Sequence, residues 1–269
     1  MQFETLKFDI PETGIGVITM NRPQRLNAIN LNMLEDFFAL FDHLNQNDEI
    51  RVLIITGEGR AFCSGADLRD ERASKEAANL FSNAAEHLIK IQKVYARLII
   101  EMRRLSQPII AAVNGHAAGG GMCIALASDV AIAAPAAAFT PSFVNIGLTA
   151  GELGTSYFLH RLVGIARASD ILFTGRTVEA TEAERIGMVS RLAEETQLME
   201  EALAIAHAML DKTPLGLRLT KETLNQNLNA PSLEAAIELE NRNQSILCLT
   251  PEFFEAIVNF GKRKRKGRS

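Results

Sequence analysis

The amino-acid sequence predicts an α/β fold on three observations. The segment PIIAAVNG (108–115) is an apolar strand that leads into three consecutive glycines, a short apolar helix and a second strand, DVAIAAP (129–135). An earlier apolar strand, RVLIITGEG (51–59), also ends in glycines. A long segment with helical periodicity lies between RVLIITGEG and PIIAAVNG. Strands and helices that alternate in this order are typical of α/β proteins.

The remaining elements of the first 195 residues follow from periodicity. Residues 2–9 and 14–20 cluster β-branched and apolar residues around Pro11 and Gly14, which predicts a hairpin. Residues 31–47 have apolar side chains at helical spacing. Residues 72–105 form the longest periodic segment, one helix or two in tandem, which ends before Pro108.

Beyond about residue 195 the strand patterns cease. Four helical segments follow. They are separated by breaks at Thr213-Pro214, Pro231 and Thr250-Pro251. We therefore predict a core at residues 1–200 and a helical region at residues 201–269.

Composition limits the class of protein. With 47% hydrophobic and 22% charged residues and a net charge of −4, the sequence is typical of a folded, soluble protein. Three widely spaced cysteines, with no CxxC pair, favour a reducing, cytoplasmic compartment over a disulfide framework or a zinc site. No apolar run is long enough to span a membrane. The basic end, GKRKRKGRS (261–269), could attract nucleic acid or anionic lipid, but such a run is more often a solvated terminus, and nucleic acid is not the expected partner.

Two turns rich in small residues carry the main functional signal. In FCSGADL (62–68) and HAAGGGMCIALA (116–127), an apolar strand leads into small residues and then into a predicted helix. The first N–H groups of a helix have no intrahelical acceptor, so two such turns face to face could bind an oxyanion. The alternative is a tight turn where helix and strand pack closely. Nucleotide binding is disfavoured, because the GxGxxG and GKS/T patterns are absent.

These turns resemble those of the enoyl-CoA hydratase/isomerase, or crotonase, superfamily, and the resemblance covers nearly the whole chain. It implies a superhelix of repeated β-β-α turns, followed by helices that build a homotrimer, commonly paired into a hexamer. It also implies a role in fatty acid metabolism on an unsaturated acyl-CoA. The segments that carry it are NRPQRLNAI (21–29), AFCSGADL (61–68), QPIIAAVNGHAAGGGMCIALASDVAIAAPAAAF (107–139), IGLTAGELGTSYFLHRLVG (146–164), LFTGRTVEATEAERIGMV (172–189) and FFEAIVNFGKRK (253–264).

The resemblance also implies roles for individual residues. Ala66 and Gly120 match the oxyanion-hole pair that binds the thioester oxygen. Arg25 would lie near a phosphate of coenzyme A, although outside this motif it would be an ordinary surface cation. The other residues implied in coenzyme A binding are Leu26, Ala28, Ala61, Ser64, Asp67, Leu68 and Gly119. No metal or redox cofactor is implied, since the coenzyme A thioester is itself the substrate.

The sequence departs from the family's hydratases at both of their usual glutamates. Cys123 occupies the place of the first, and Phe143 that of the second. Glu152 remains, at a place where the family's dienoyl-CoA isomerases have a catalytic aspartate. It could move a proton along the acyl chain, or act as the base of a hydratase in which Asn145 or Ser142 positions water. The alternative is an acid that only satisfies N–H groups at a helix start.

Three further alternatives stay open. The loss of both glutamates would also suit a non-catalytic acyl-CoA-binding or scaffold protein. Cys123 could be small buried filler, or a thiol with a pKa lowered by the helix start. The pocket wall is expected within residues 70–105, where an apolar stripe favours an aliphatic or terpenoid acyl group, but these side chains would serve equally as core, which is the more common role: Leu80, Phe81, Leu88, Ile91 and Tyr95.

Overall fold

A computed structural model describes residues 2–70, 72 and 84–266 of the 269-residue chain, with the side chains of 84–88 and 259–266 excepted. The chain divides into two compact units, Met1–Ala208 and Met209–Ser269. The sequence predicts a boundary at residue 200. The division falls beyond this residue, within the last turn of the single helix Leu198–Leu210.

The first unit contains ten strands and most of the helices of the described chain. The strands are β1 (Leu6–Glu12), β2 (Ile15–Met20), β3 (Val52–Gly57), β4 (Ala61–Cys63), β5 (Ile109–Val113), β6 (His116–Ala118), β7 (Val130–Ala133), β8 (Ala138–Thr140), β9 (Val178–Glu179) and β10 (Arg191–Leu192). The helices are α1 (Leu31–Asn45), α2 (Ala84–Arg104), α3 (Gly120–Ala127), α4 (Thr155–Val163), α5 (Ile165–Thr174), α6 (Ala180–Arg185) and α7 (Leu198–Leu210), with 3-10 turns at Pro23–Arg25, Val144–Ile146 and Glu195–Gln197.

The strands of the first unit form two sheets. A six-stranded sheet has the order β1-β2-β3-β5-β7-β10, and a four-stranded sheet has the order β4-β6-β8-β9. From β3 to β8, each turn of the chain contributes one strand to each sheet, and neighbours within a sheet pair in parallel. Helix α2 follows the first such pair of strands and α3 the second. This architecture confirms the predicted superhelix of β-β-α turns.

Burial explains why these segments adopt their structures. Every residue of β3 and β5 is buried, as expected for parallel strands covered on both faces. Helix α1 begins after Asn30, whose side chain accepts a hydrogen bond from the Met33 N–H. Its apolar face contributes Phe37 and Leu40, both without exposed surface. Each such side chain stabilises the fold by about 1.5–3 kcal/mol. Helix α3 is buried all round and therefore belongs to the core.

The other sequence predictions for the first unit are confirmed where the structure describes them. Strands β1 and β2 form the predicted antiparallel hairpin, with Leu6 opposite Met20. Helix α1 corresponds to the predicted segment 31–47. Helix α2 confirms the periodic segment from Ala84 to Arg104. Most of the earlier part of that prediction, including Leu80 and Phe81, lies outside the described residues.

The second unit contains the predicted C-terminal helices α8 (Pro214–Asn227), α9 (Leu233–Leu247) and α10 (Pro251–Lys266). Helices α8 and α9 begin after Thr213 and Ser232, whose side chains accept hydrogen bonds from the Gly216 and Ala235 N–H groups. The basic side chains of 261–269 lie outside the described part of the chain. None of the described helices is both long and apolar enough to cross a membrane.

Candidate active site

The two glycine turns lie against each other. Strands β4 and β6 are parallel neighbours, with Cys63 opposite Ala117, so their carboxyl ends lead into turns at the same sheet edge. A Cβ atom built on Gly65 would lie 2.9 Å from the Ala118 carbonyl oxygen and 3.3 Å from the Gly120 nitrogen. Gly65 also has a φ of +91°, a conformation that favours glycine. The sequence prediction that these turns meet is therefore supported by their geometry.

Ala66 and Gly120 each present an N–H group without an acceptor among the described residues. Gly120 is the first residue of α3, where no intrahelical acceptor exists. Ala66 forms an isolated parallel bridge with Ile29. In this bridge the Ile29 N–H donates to the Gly65 carbonyl oxygen, and the Asp67 N–H donates to the Ile29 carbonyl oxygen. The Ala66 N–H takes no part in this bridge. Its availability thus comes from strand pairing rather than from the expected helix start.

The other two consecutive glycines have separate structural reasons. Gly119 adopts a φ of +48° at the turn, and its N–H donates to the Thr140 carbonyl oxygen at 2.9 Å. A Cβ atom on Gly121 would lie 2.1 Å from the carbonyl oxygen of Cys63, so α3 packs directly on the backbone of β4. This close approach is possible only without a side chain at residue 121. The glycines thus bring the start of α3 to the Ala66 turn.

Glu152 lies in a tight turn at the same end of α3. Its backbone carbonyl accepts hydrogen bonds from the Thr155 N–H at 2.8 Å and the Thr155 Oγ1 at 2.6 Å. The next residue, Leu153, has a φ of +46°, which is strained for a residue with a branched side chain. The Cδ1 atom of Leu153 lies 3.5 Å from where a Gly120 Cβ would be. The turn therefore brings Glu152 beside the Gly120 end of the site.

The carboxyl group of Glu152 is half-buried and bonded to one side chain among the described residues. Gln92 on α2 donates from Nε2 to Oε1 of Glu152. Burial raises the pKa of Glu152 above its ordinary value, although the Gln92 amide and the Leu153 N–H act in the opposite direction. A carboxyl group with a raised pKa is suited to accept a proton and return it.

The places of the two missing glutamates hold groups that do not exchange protons near neutral pH. Burial raises the pKa of the Cys123 thiol to about 12, and the nearby Glu152 charge adds to this effect. Burial outweighs the hydrogen bond with Thr155, which acts in the opposite direction, so the geometry favours a buried, protonated thiol over a reactive one. The Phe143 ring lies 3.6 Å from where a Gly119 Cβ would be, so it forms an apolar wall beside the turn.

The side chains of the two residues expected to position water form hydrogen bonds with backbone carbonyl groups. Asn145 Nδ2 donates to the Gly175 carbonyl oxygen at 3.0 Å, and Ser142 Oγ donates to the Thr140 carbonyl oxygen at 3.4 Å. Gln92, which the sequence analysis does not single out, is the side chain that bonds to the acid. Gln92 lies three residues before Tyr95, a predicted pocket-wall residue, and residues three apart share a helix face. This spacing was the signal that could have placed Gln92 at the site. Tyr95 itself donates to the Ile29 carbonyl oxygen at 3.2 Å.

The segment 21–29 is tied to the Ala66 turn by a largely buried ion pair. Arg22 Nη2 lies 2.9 Å from Asp67 Oδ2, and the other Arg22 nitrogen donates to the Ala28 carbonyl oxygen. Asn27 is fully buried and donates to the carbonyl oxygens of Glu58 and Ala61 at 2.9 and 2.8 Å. Leu26 and Asn27 have φ values of 51° and 55°. Strained residues held by such contacts are frequent at ligand sites.

The residues implied in coenzyme A binding occupy different settings. Arg25 is exposed, and its side chain has no ion-pair partner among the described residues. Leu68 is 75% exposed, whereas Ala28 and Ala61 are buried. Two of the side chains make internal contacts among the described residues: the Asp67 carboxylate pairs with Arg22, and Ser64 Oγ donates to the Arg25 carbonyl oxygen at 3.5 Å. The Asp67 carboxylate therefore supports the turn, while Arg25 is available to a ligand.

The expected pocket wall is described in part. Ile91 and Tyr95 of α2 are half-buried, whereas Leu80, Phe81 and the Leu88 side chain lie outside the described residues. Across residues 2–70, 72 and 84–266, no three His, Cys, Asp or Glu side chains form a group that could bind a metal ion.

Comparisons with known proteins agree with this geometry. A family model described as enoyl-CoA hydratase/isomerase matches residues 11–267. A Mycobacterium bovis protein named probable enoyl-CoA hydratase is 41% identical over 249 residues, or 92% of this chain and 87% of that protein. The crystal structure of a probable enoyl-CoA hydratase/isomerase from Mycobacterium abscessus matches with a TM-score of 0.88 and 37% identity over 97% of this chain and 96% of that one. A monofunctional enoyl CoA isomerase from M. smegmatis matches with a TM-score of 0.73 and 39% identity over 87% and 98%.

Proposed function

Because the chain belongs to the enoyl-CoA hydratase/isomerase family, we propose that it moves the double bond of an unsaturated acyl-CoA, with Glu152 as the proton-transfer group. The observation that carries this proposal is the setting of Glu152 among the described residues. A half-buried carboxyl group with a raised pKa lies at the Gly120 end of the site, while a neutral thiol and an aromatic ring occupy the usual acid positions.

The proposed reaction follows from the N–H pair and this carboxylate. For a 3-enoyl-CoA, the N–H groups of Ala66 and Gly120 bind the thioester oxygen. Glu152 then removes a proton from C2, and the electron pair delocalises onto that oxygen as a dienolate. Glu152 returns the proton at C4, so the double bond moves to C2–C3. Each N–H donor is expected to supply about 3–4 kcal/mol of transition-state stabilisation.

Hydration is the less favoured reaction. It needs a water molecule held and deprotonated beside the double bond, which the family's hydratases do with two glutamates. In this chain Cys123 has a pKa of about 12, and Phe143 offers no polar atom at the second place. One carboxylate is sufficient for proton transfer along the chain, because the same group accepts and returns the proton.

The remaining parts of the proposal concern binding and assembly. Arg25, with no partner among the described residues, would bind a phosphate of coenzyme A, and residues 21–29 and 61–68 would line its path. The second unit exposes several large apolar side chains, which supports a homotrimer or hexamer: Leu224, Leu233, Leu249, Phe254 and Ile257. The three cysteines are free, which agrees with a cytoplasmic enzyme.

Steady-state assays on 2-enoyl-, 3-enoyl- and dienoyl-CoA thioesters of several chain lengths test the proposed reaction. We expect turnover of 3-enoyl or dienoyl substrates, and a fall in kcat of about 10²- to 10⁴-fold for Glu152→Gln. Glu195→Gln, the same change at an exposed acid, is the matched control. Hydration of 2-enoyl-CoA as the dominant activity would contradict the proposal.

A non-catalytic acyl-CoA-binding protein is the second candidate, and the loss of both usual glutamates favours it. Exchange of the α-protons of butanoyl-CoA in deuterium oxide, followed by NMR, separates the two candidates without a choice of unsaturated substrate. We expect exchange with the native chain and almost none with Glu152→Gln. Calorimetric binding of butanoyl-CoA without exchange would favour the second candidate.

A further inference from the structure

Gln92 joins the acid of the proposed site to a different part of the fold. Its Nε2 atom donates to Oε1 of Glu152 across a sequence separation of 60 residues. Gln92 lies on α2, and Glu152 lies in the turn that precedes α4. The side chain of Gln92 is otherwise exposed, so no packing in the core accounts for it. The hydrogen bond to the carboxylate is the contact to explain.

The backbone of Glu152 is already fixed by other groups. Thr155 bonds to its carbonyl oxygen with both N–H and Oγ1, and Cys123 Sγ lies 3.6 Å from the same oxygen. These contacts position the Cα atom and leave the side-chain torsions of a flexible glutamate free. The bond from Gln92 removes that freedom, because it fixes one carboxylate oxygen to α2.

The chemistry of the donor is suited to a group that gains and loses a proton. An amide is uncharged and can donate to Oε1 whether Glu152 is ionised or protonated. An arginine or lysine in its place would bind the carboxylate as an ion pair and strongly favour the ionised form. A glutamine therefore orients the acid without preventing proton transfer.

We propose that Gln92 is a positioning residue: it occupies Oε1 of Glu152, so that Oε2 is the atom that takes the proton from the substrate and returns it. This inference rests on the proposed function of Glu152. It assigns a role to α2 in the reaction itself and identifies the oxygen that faces the substrate.

Few other groups among the described residues affect the titration of Glu152. On α3, the Cys123 thiol stays protonated, since burial raises its pKa to about 12. On α4, Thr155 is uncharged, and on α2 the contact is Gln92 itself. The hydrogen bond from Gln92 lowers the pKa of Glu152 against the effect of burial. Loss of this bond should therefore raise the pKa of the acid.

The test uses the full chain with Gln92→Met, which keeps a similar length and removes the donor. The readouts are α-proton exchange of butanoyl-CoA, isomerisation of 3-hexenoyl-CoA and the pH profile of kcat/KM. We expect kcat to fall roughly 10- to 100-fold, as for loss of one hydrogen bond to a charged group, with KM within about two-fold. The ascending limb of the profile should move to higher pH. Lys93→Met, at an exposed neighbour on the same helix, should change neither.

Each of the following results would overturn the inference. Unchanged rates for Gln92→Met would show that the contact does not matter. A lower rate with an unmoved pH limb would indicate a structural role only, and thermal melting of the variant would show whether the fold is weakened. Full activity in Glu152→Gln would remove the proposed function and this inference together. If Gln92→Met kept native rates while Glu152→Gln were inactive, this inference would fail and the proposed function would stand.

Discussion

The Sγ atom of Cys123 lies 3.6 Å from the backbone carbonyl oxygen of Glu152. The helix position at which related hydratases have an acid is thus occupied by a thiol that contacts the turn carrying this chain's own acid. Thr155 Oγ1, 3.0 Å from the same sulfur, completes the contact. The helix position thus supports the turn that carries Glu152, the acid of the proposed function.

Cys123 should be chemically inert in the folded protein. Burial and a pKa of about 12 keep the thiol neutral and inaccessible, and Cys63 has the same properties. Treatment of the native protein with iodoacetamide should therefore label neither residue, as checked by mass spectrometry of peptides. Unfolded protein, in which all three cysteines should react, is the control. Labelling of Cys123 before unfolding would contradict its described burial.

Replacement of Glu152 by glutamine should stabilise the fold at neutral pH. Burial raises the folded-state pKa of Glu152 above its ordinary value of 4.5, so ionisation weakens the fold as the pH rises through the folded-state pKa. Below the ordinary value the group is protonated in both states, and this cost is absent. Melting temperatures of native protein and Glu152→Gln should therefore differ at neutral pH and converge in acid. A variant that is less stable at neutral pH would contradict the raised pKa.

The Gly120 N–H should contribute directly to catalysis. Proline is tolerated at the first position of a helix and lacks the N–H group. Gly120→Pro and Gly120→Ala both place a Cβ atom 3.1 Å from Cδ1 of Ile29, but only the alanine keeps the donor. We expect kcat of the proline variant to be about 10²- to 10³-fold below that of the alanine variant. Circular dichroism of both variants controls for folding, and equal rates would exclude Gly120 from the oxyanion hole.

Gly121→Ala should destabilise the protein through packing inside the fold rather than through a contact with the substrate. Its Cβ would lie 2.1 Å from the Cys63 carbonyl oxygen, and a backbone atom between α3 and β4 cannot move aside easily. The expected loss is about 3 kcal/mol of unfolding free energy, measured by urea denaturation. Gly151→Ala is the matched control, because its nearest atoms would be 3.5 Å away. A loss of similar size in the control would mean that packing at Gly121 is not the cause.

Arg25→Ala should weaken binding of coenzyme A thioesters but not the chemistry. We expect KM for the thioester to rise about ten-fold, as for loss of a hydrogen bond to a charged group, with kcat unchanged. A pantetheine thioester with the same acyl group lacks the nucleotide phosphates and should show no such difference. Arg167→Ala, at another exposed arginine, is the control. An equal effect on both thioesters would place Arg25 away from the phosphates.

Much of the fold could be predicted from the sequence because local patterns report local structure. The alternation of glycine-stopped apolar strands with helices indicated an α/β protein, and β3, α1, β5 and α3 lie where these patterns predict them. The prediction that the two glycine turns meet also succeeded, because parallel neighbouring strands end at the same sheet edge. The Ala66 turn was less predictable, since its open N–H depends on a bridge to Ile29, far away in the sequence.

The hydrogen-bond and ion-pair partners of side chains could not be predicted from the sequence. Asn145 and Ser142 were plausible groups to position water beside Glu152 because they lie nearby in the chain, yet both side chains bond to backbone carbonyl groups. Proximity in sequence does not establish the direction of a side chain. The same limit applies to the pairing of the Asp67 carboxylate with Arg22, 45 residues earlier in the chain, which no local pattern indicates.

The sequence by itself determined the order of strands and helices, the glycines that allow α3 to approach β4, and the replacement of two expected acids by Cys123 and Phe143. Only the tertiary structure decided that Gln92 bonds to Glu152 and that burial raises the pKa values of Glu152 and Cys123. The reason is physical. Periodicity and backbone preference act over a few residues, whereas desolvation and hydrogen bonding depend on groups that only the folded chain brings together.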